Sequence, residues 1–342
     1  MCHNRAMLQK VLVRGAYSLV LLFCVLATAG IGTLLESKQF VYNQATPLER
    51  EAEEIDSEPF PVSVDPISQT IVKEDLLDNE AFETLAMDQA ESEGLASKIV
   101  AFFFKREWYQ NLASPVSRIL VIWPGERKEE VSKNFGDILR WDADQRKKFV
   151  RLISIAEPTI AEGKFYPGQY VAHRGATPEE VATMVNEKFT TDVLNRYTKE
   201  VEAQVPITDA LIIASLLERE ASDFENMREV SGVIWNRLFI NMPLQLDATL
   251  QYVRGANPSE KNWWPTPKPA DKYLDSPYNT YAYKGLPPGP ISNASAAAIL
   301  AALNPYPTEC LYYFHDNEGD YHCSVTYEEH VANLKKQYGR GR

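Results

Sequence analysis

Two glutamates close an apolar run. From Thr208 to Ala221 the sequence TDALIIASLLEREA is apolar around nearly its whole circumference until Glu218 and Glu220 appear. A helix of that kind must be buried. A carboxyl held in apolar surroundings keeps its proton to higher pH, which suits it to donate that proton near neutrality. At about 100° per residue the two side chains point roughly 200° apart, so only one can face a given cleft. Spacing does not choose between them. The plainer reading is a pair of helix-end surface acids matched by Arg219 and Arg228.

Other residues with chemical capacity lie downstream. Gln245, Asp247 and Thr249 alternate in LQLDATLQY, which places them on one face if the stretch is extended. Turn and cap chemistry is the alternative, above all at Thr249. Tyr278, Asn279, Thr280 and Tyr281 precede the Gly285–Gly289 loop GLPPG, whose Pro and Gly residues restrict the backbone. Such a loop can present an amide and ring faces to a ligand, or form an ordinary aromatic loop core. Near the C-terminus stand Cys310, His315, His322, Cys323 and His330. No CxxC or HExxH spacing organises them, so no metal or other cofactor is expected. Cys310 and Cys323 flank a short turn at roughly paired register, and exported cysteines are often oxidised, so the pair can form a disulfide.

The elements that must position these groups give an α+β class. A strand rich in Ile and Val, SRILVIWPGE, starts at Ser117 and ends in a Pro-Gly turn. Helical patterns follow from Glu126 to about Leu139 and from near Ala143. Thr177-Pro-Glu-Glu then offers a capping Thr, Pro at the first helical position and acids in the first turn, starting a helix to about Tyr197. The buried helix comes next, then Pro- and aromatic-rich loops, a short helix from Ala294 to Leu303, and a hairpin formed by CLYYF, a DNEGD turn and HCSVTY.

Charge and hydropathy set the context. Between Glu49 and Lys98 there are fifteen acidic residues and three basic ones, an excess equal to the net charge of −12 for all 342 residues. Nucleic-acid binding is excluded as a leading function, because it needs clustered Lys and Arg facing phosphates. Residues 16–35 carry no charge and follow Arg5, Lys10 and Arg14. At 1.5 Å per residue they match a hydrocarbon core of about 30 Å. The expected organisation is therefore a cytoplasmic segment at 1–15, a single N-terminal transmembrane anchor at 16–35, an acidic linker at 36–95, an accessory region at 96–200 and a main domain at 201–338. An Ala-Thr-Ala at 27–29 offers cleavage as the alternative to retention. Either way the chain after Glu36 is exported.

Four blocks carry a family resemblance: LIIASLLEREAS, GVIWNRLFINMPLQLDATLQY, SPYNTYAYKGLPPGPISNAS with ALNP, and LYYFHDNEGDYHCSVTYEEH. Their order and spacing over residues 211–330 resemble the endolytic lytic transglycosylases (MltG, YceG-like). The segments WPGERKEEVSKNF and EGKFYPGQY look like that family's small accessory α/β region, which is LysM-like. The chain departs from the family pattern at Ala221, where Thr or Ser is usual. The resemblance implies a YceG-like catalytic domain with a C-terminal β-hairpin. It also implies cleavage of MurNAc–GlcNAc β-1,4 bonds in nascent peptidoglycan strands, leaving 1,6-anhydroMurNAc ends and limiting strand length. It selects Glu220 over Glu218 as the acid/base. It makes Gln245, Asp247, Thr249, Tyr278, Asn279, Thr280, Tyr281 and His322 the expected substrate contacts. Expected partners are peptidoglycan glycan strands, the inner membrane through residues 16–35, and penicillin-binding proteins of the wall-synthesis complex. A peptidoglycan-binding scaffold protein that has lost catalysis is the alternative.

Overall fold

A computed structural model describes residues 58–72, 116–155 and 157–339. The expected anchor at 16–35 lies outside the described residues, as does most of the acidic stretch. Among the described residues no helix is long and apolar enough to cross a membrane. The α+β class holds. In order, the elements are β1 (Val64–Asp65), β2 (Thr70–Ile71), β3 (Ser117–Ile122), α1 (Lys128–Leu139), α2 (Ala143–Ser154), β4 (Gly168–His173), α3 (Pro178–Asp192), α4 (Lys199–Gln204), α5 (Ile207–Glu220), α6 (Phe224–Phe239), α7 (Asp247–Gly255), α8 (Ala296–Leu303), β5 (Tyr312–His315), β6 (Tyr321–Ser324) and α9 (Tyr327–Tyr338). Among the described residues the strands pair as three separate two-stranded sheets: β1 with β2, β3 with β4, and β5 with β6.

Two compact units divide the chain. Of the described residues, one unit holds 116–119 and 171–174, and the other holds all the rest, so residues on both sides of position 200 share the larger unit. That larger unit contains everything discussed below.

Its core is organised around α5. Every residue from Ala210 to Leu217 is buried, as the all-round apolar pattern requires. Helix α8, AAAILAAL, is buried along its full length, and its small residues let it lie close against α5 and α6. Polar groups fasten this packing: Trp235 Nε1 donates to the Ala302 carbonyl at 2.8 Å, and Arg228 Nε donates to the Asn304 carbonyl at 2.9 Å. Arg228 also stacks 3.9 Å from the Tyr306 ring centroid. It is thereby tied into the core. Gly232 of α6 meets the Tyr306 carbonyl so closely that a Cβ there would collide with it.

Three findings differ from the sequence expectations. First, residues 58–72, inside the stretch expected as a linker, are folded into the core. Phe60 is 2% exposed and Val64 is fully buried. Their backbone is stitched to distant elements, with Ser63 N–H donating to the Leu303 carbonyl at 3.0 Å and Asn304 Nδ2 to the Pro61 carbonyl at 2.7 Å. The acidity of the surrounding sequence hid a short apolar patch that finds its partners only in the fold. Second, LQLDATLQY is not extended, because Asp247 opens helix α7. Third, the chain continues past the hairpin into α9, whose capping box at Thr326 and Glu329 and left-handed Gly339 are standard helix signals.

The hairpin itself is as expected, with Tyr313 opposite Cys323 and Phe314 opposite His322. Cys310 and Cys323 are joined by a disulfide, with Cα atoms 5.8 Å apart.

Two measurements check these assignments. Phe60→Ala is expected to cost about 3–5 kcal/mol in denaturant unfolding, as core truncations do, whereas a linker residue would fall within about 0.5 kcal/mol of wild type. Replacing both Cys310 and Cys323 by Ser is expected to lower stability by about 2–4 kcal/mol, since the bridge closes a short loop in the unfolded chain; mass spectrometry without reduction should find the wild-type pair two hydrogens lighter than the reduced form.

Candidate active site

Glu220 is the last residue of α5 and sits where the buried helix reaches the edge of the core. Its carboxyl is partly buried and takes two hydrogen bonds. The Ala248 N–H in the first turn of α7 donates to Oε1 at 3.3 Å, and the Tyr313 hydroxyl donates to Oε2 at 3.1 Å. Burial is the largest influence on its titration and pushes the pKa up to about 7, with Asp247 adding to the rise. The two hydrogen bonds and Arg219 act in the opposite direction. The outcome is a carboxyl that is protonated in a substantial fraction of molecules at neutral pH, as a general acid must be.

Glu162 is the other carboxyl raised to about 7, again chiefly by burial. It is 3% exposed, and the partly exposed Lys128 covers it with Nζ 2.6 Å from its Oε2, so it is held in a structural ion pair. Glu218 has a different use: its Oε1 accepts the Ser295 N–H at 2.7 Å, at the residue that caps α8. The helix end thus divides its acids, one bracing α8 and one facing α7 and the hairpin.

Asp247 and Tyr281 lie beside Glu220. The Tyr281 hydroxyl donates to Asp247 Oδ1 at 2.7 Å, and Lys272 Nζ lies 4.7 Å from the Tyr281 ring centroid. Four other expected contacts do different work. Asn279 is fully buried, with Nδ2 donating to the Lys272 and Leu274 carbonyls at 3.1 and 2.8 Å. Thr249 and Thr280 are buried and their hydroxyls bond to each other at 3.0 Å, while the Leu246 N–H donates to Thr280 Oγ1 at 3.0 Å. Tyr278 packs on Tyr252 with ring centroids 4.9 Å apart. These groups hold the loop against α7 and so set where Asp247 and Tyr281 stand. Gln245 is exposed at φ +54, its N–H bonded to the Thr280 carbonyl at 3.0 Å.

His322 is on the opposite side of the hairpin from Tyr313, because neighbouring positions along a strand face opposite ways. It stacks on Phe314 at 5.0 Å and reaches Asp316 Oδ2 at 2.9 Å, on the face that packs against α9. The face shared by Tyr313 instead carries His315 and Tyr321, with His315 Nε2 within 2.9 Å of Asn226 Oδ1. Sequence reading gave no site role to Tyr313 or Asn226, and singled out His315 only as one of a set of possible metal-ligand types. The alternation of YYFH, combined with knowledge of which face meets α5, was the signal for Tyr313 and His315.

The YceG-like family profile matches residues 63–336. The chain belongs to that family. Among relatives, the endolytic murein transglycosylase of Bacillus subtilis is 34% identical over 176 residues, covering 51% of this chain and 47% of that protein. The endolytic murein transglycosylase of Streptococcus pneumoniae is 29% identical over 174 residues, covering 51% of this chain and 31% of that protein. The chain therefore matches about half or less of the length of these curated relatives. A crystal structure at 2.6 Å of a yceG-like protein from Listeria monocytogenes superposes with a TM-score of 0.55 at 27% identity, covering 63% of this chain and 75% of that one.

For this member of the YceG-like family the raised Glu220 pKa has a stability consequence. The folded-state value lies above the ordinary 4.5, so stability present at low pH is lost as pH rises through the interval up to about 7. Glu220→Gln removes that loss. The variant is expected to match wild type near pH 4 and to exceed it above pH 7 by roughly 3 kcal/mol, read from denaturant midpoints across that range. Subtracting one series from the other removes the common contribution of Glu162.

Proposed function

We propose that this chain is an endolytic murein transglycosylase that cuts MurNAc–GlcNAc β-1,4 bonds within glycan strands and leaves 1,6-anhydroMurNAc ends, with Glu220 as its single acid/base. The observation that carries this reading is the Glu220 carboxyl, raised to about 7 and held by Tyr313 and Ala248 at the open end of a buried helix. Family membership and the names of its relatives support the substrate class.

In the reaction, the protonated Glu220 gives its proton to the glycosidic oxygen as the bond from C1 breaks. The resulting carboxylate then accepts the proton of the muramic C6 hydroxyl as that oxygen bonds to C1. No water is consumed, and Glu220 ends as it began, protonated. The Tyr313 hydroxyl and the Ala248 N–H stabilise the carboxylate between the two transfers. Asp247 and Tyr281 line the approach as sugar contacts. Residues 16–35 would hold the domain at the outer face of the cytoplasmic membrane, beside penicillin-binding proteins making new strands.

Asp247 favours a second reading. A carboxylate beside the acid is what a conventional muramidase needs to activate water. The product end separates the two: reducing MurNAc from water attack, anhydro sugar from the internal hydroxyl. When the full chain in detergent is incubated with uncrosslinked strands, mass spectrometry is expected to show internal fragments with anhydro ends. Glu220→Gln is expected to lose about 10²- to 10⁴-fold in rate while still binding strands. Uncut strands retained by a folded wild-type protein would point to the scaffold alternative.

A further inference from the structure

Arg219 places a cation next to the one group that must keep its proton. Its guanidinium carbon lies 4.0 Å from the centroid of the Trp264 ring. Gly125, in the Pro-Gly turn after β3, also approaches this arginine, at φ +76. A Cβ on that residue would stand 3.3 Å from Arg219 Nη1 and 3.4 Å from its Cδ. The arginine therefore lies in a slot bounded by that glycine and the indole.

The indole is itself anchored. Trp264 Nε1 donates to Glu130 Oε2 at 3.1 Å, and that same oxygen accepts the Arg127 N–H at 3.0 Å where α1 begins. The Trp264 N–H donates to Asn262 Oδ1 at 3.0 Å. Arg127, 2% exposed, sets its guanidinium 5.4 Å from the Trp263 ring centroid and 6.0 Å from that of Trp264. A planar guanidinium gains from stacking on an aromatic face, and Trp offers the best one.

We propose that Trp264 is a positioning residue for Glu220: by holding the Arg219 guanidinium in the slot against Gly125, it keeps that cation from pairing with the Glu220 carboxylate. This rests on the reading of Glu220 as the acid/base. The groups that act on Glu220 are Asp247 from α7, Tyr313 from β5, Tyr281 from the loop, Arg237 from α6 and Arg219 from α5 itself. Arg237 is engaged elsewhere, with Nε donating to the Leu311 carbonyl at 2.6 Å and Nη1 to the Leu244 carbonyl. Arg219 is the cation that Trp264 holds by its ring face. An opposite charge brought within about 4–6 Å lowers a carboxyl pKa by about 1–3, which would leave Glu220 ionised at neutral pH.

The test is a ¹³C NMR titration of the Glu220 carboxyl in the full chain in detergent, which requires no turnover. Trp264→Leu keeps apolar bulk without an aromatic face and is expected to lower the midpoint by about one pH unit or more. Trp264→Phe, which keeps a ring, is expected to stay with wild type. Adding Arg219→Gln to Trp264→Leu is expected to restore the midpoint. Arg219→Lys keeps the charge but loses the flat face, and is the second variant expected to lower the midpoint should Trp264→Leu fail to fold. A midpoint unmoved in Trp264→Leu and Arg219→Lys would overturn the proposal, as would an equal drop in Trp264→Leu with Arg219→Gln. The alkaline limb of strand cleavage is expected to move with the midpoint. If the midpoint falls as expected but cleavage does not follow it, the acid/base reading of Glu220 is wrong and the positioning by Trp264 stands.

Discussion

Desolvation of one carboxyl is the constraint around which the larger unit is arranged. Glu220 can retain a proton near pH 7 only because α5 carries it at the end of eight consecutive buried residues, from Ala210 to Leu217. A helix buried on every side needs neighbours on every side. Helix α8, the β1 segment with Phe60 and Val64, and α6 with Trp235 supply them. The helix stops at Glu220 because Ala221 turns to an extended conformation, at φ −120 and ψ 153. The acid therefore stands at the edge of the apolar packing, partly exposed and near the exposed Asp247.

Polar contacts at that edge come from parts of the chain far apart in sequence. Ala248 lies 28 residues from Glu220, and Tyr313 lies 93 residues away. Each is presented by a rigid element: the first turn of α7, whose N–H groups point outward unpaired by the helix itself, and the disulfide-closed β5–β6 hairpin. Glu218 works at the same helix end in a supporting capacity, by holding the start of α8. One short stretch of helix thus ties three packed elements together.

The segment around α1 adds a second layer. Its charges meet α7 through Arg127 over Tyr252, at 4.2 Å, and the aromatic loop through Glu130, which accepts the Trp264 indole N–H. The Lys128–Glu162 ion pair seals the adjoining interior. Residues expected from sequence to form an accessory region thereby reach to within one side chain of the helix end that carries the acid. The compact unit that holds them together spans both.

Sequence alone determined the features that depend on local pattern. The all-round apolar run specified a buried α5, Thr177 with Pro178 specified the start of α3, and the paired cysteines with their turn specified a bridged hairpin. Those signals are legible because helix periodicity, capping and turn chemistry act over a few residues. Tertiary structure decided what each glutamate meets, α8 for Glu218 and α7 with the hairpin for Glu220. It decided that Asn279, Thr249 and Thr280 are internal struts while Asp247 and Tyr281 stand at the opening. It also decided that Tyr313 faces the acid and His322 faces α9, because strand alternation assigns two faces but only packing says which one is inward. Burial and the approach of distant groups are properties of the assembled fold, and they are what convert a common carboxylate into an acid poised near neutral pH.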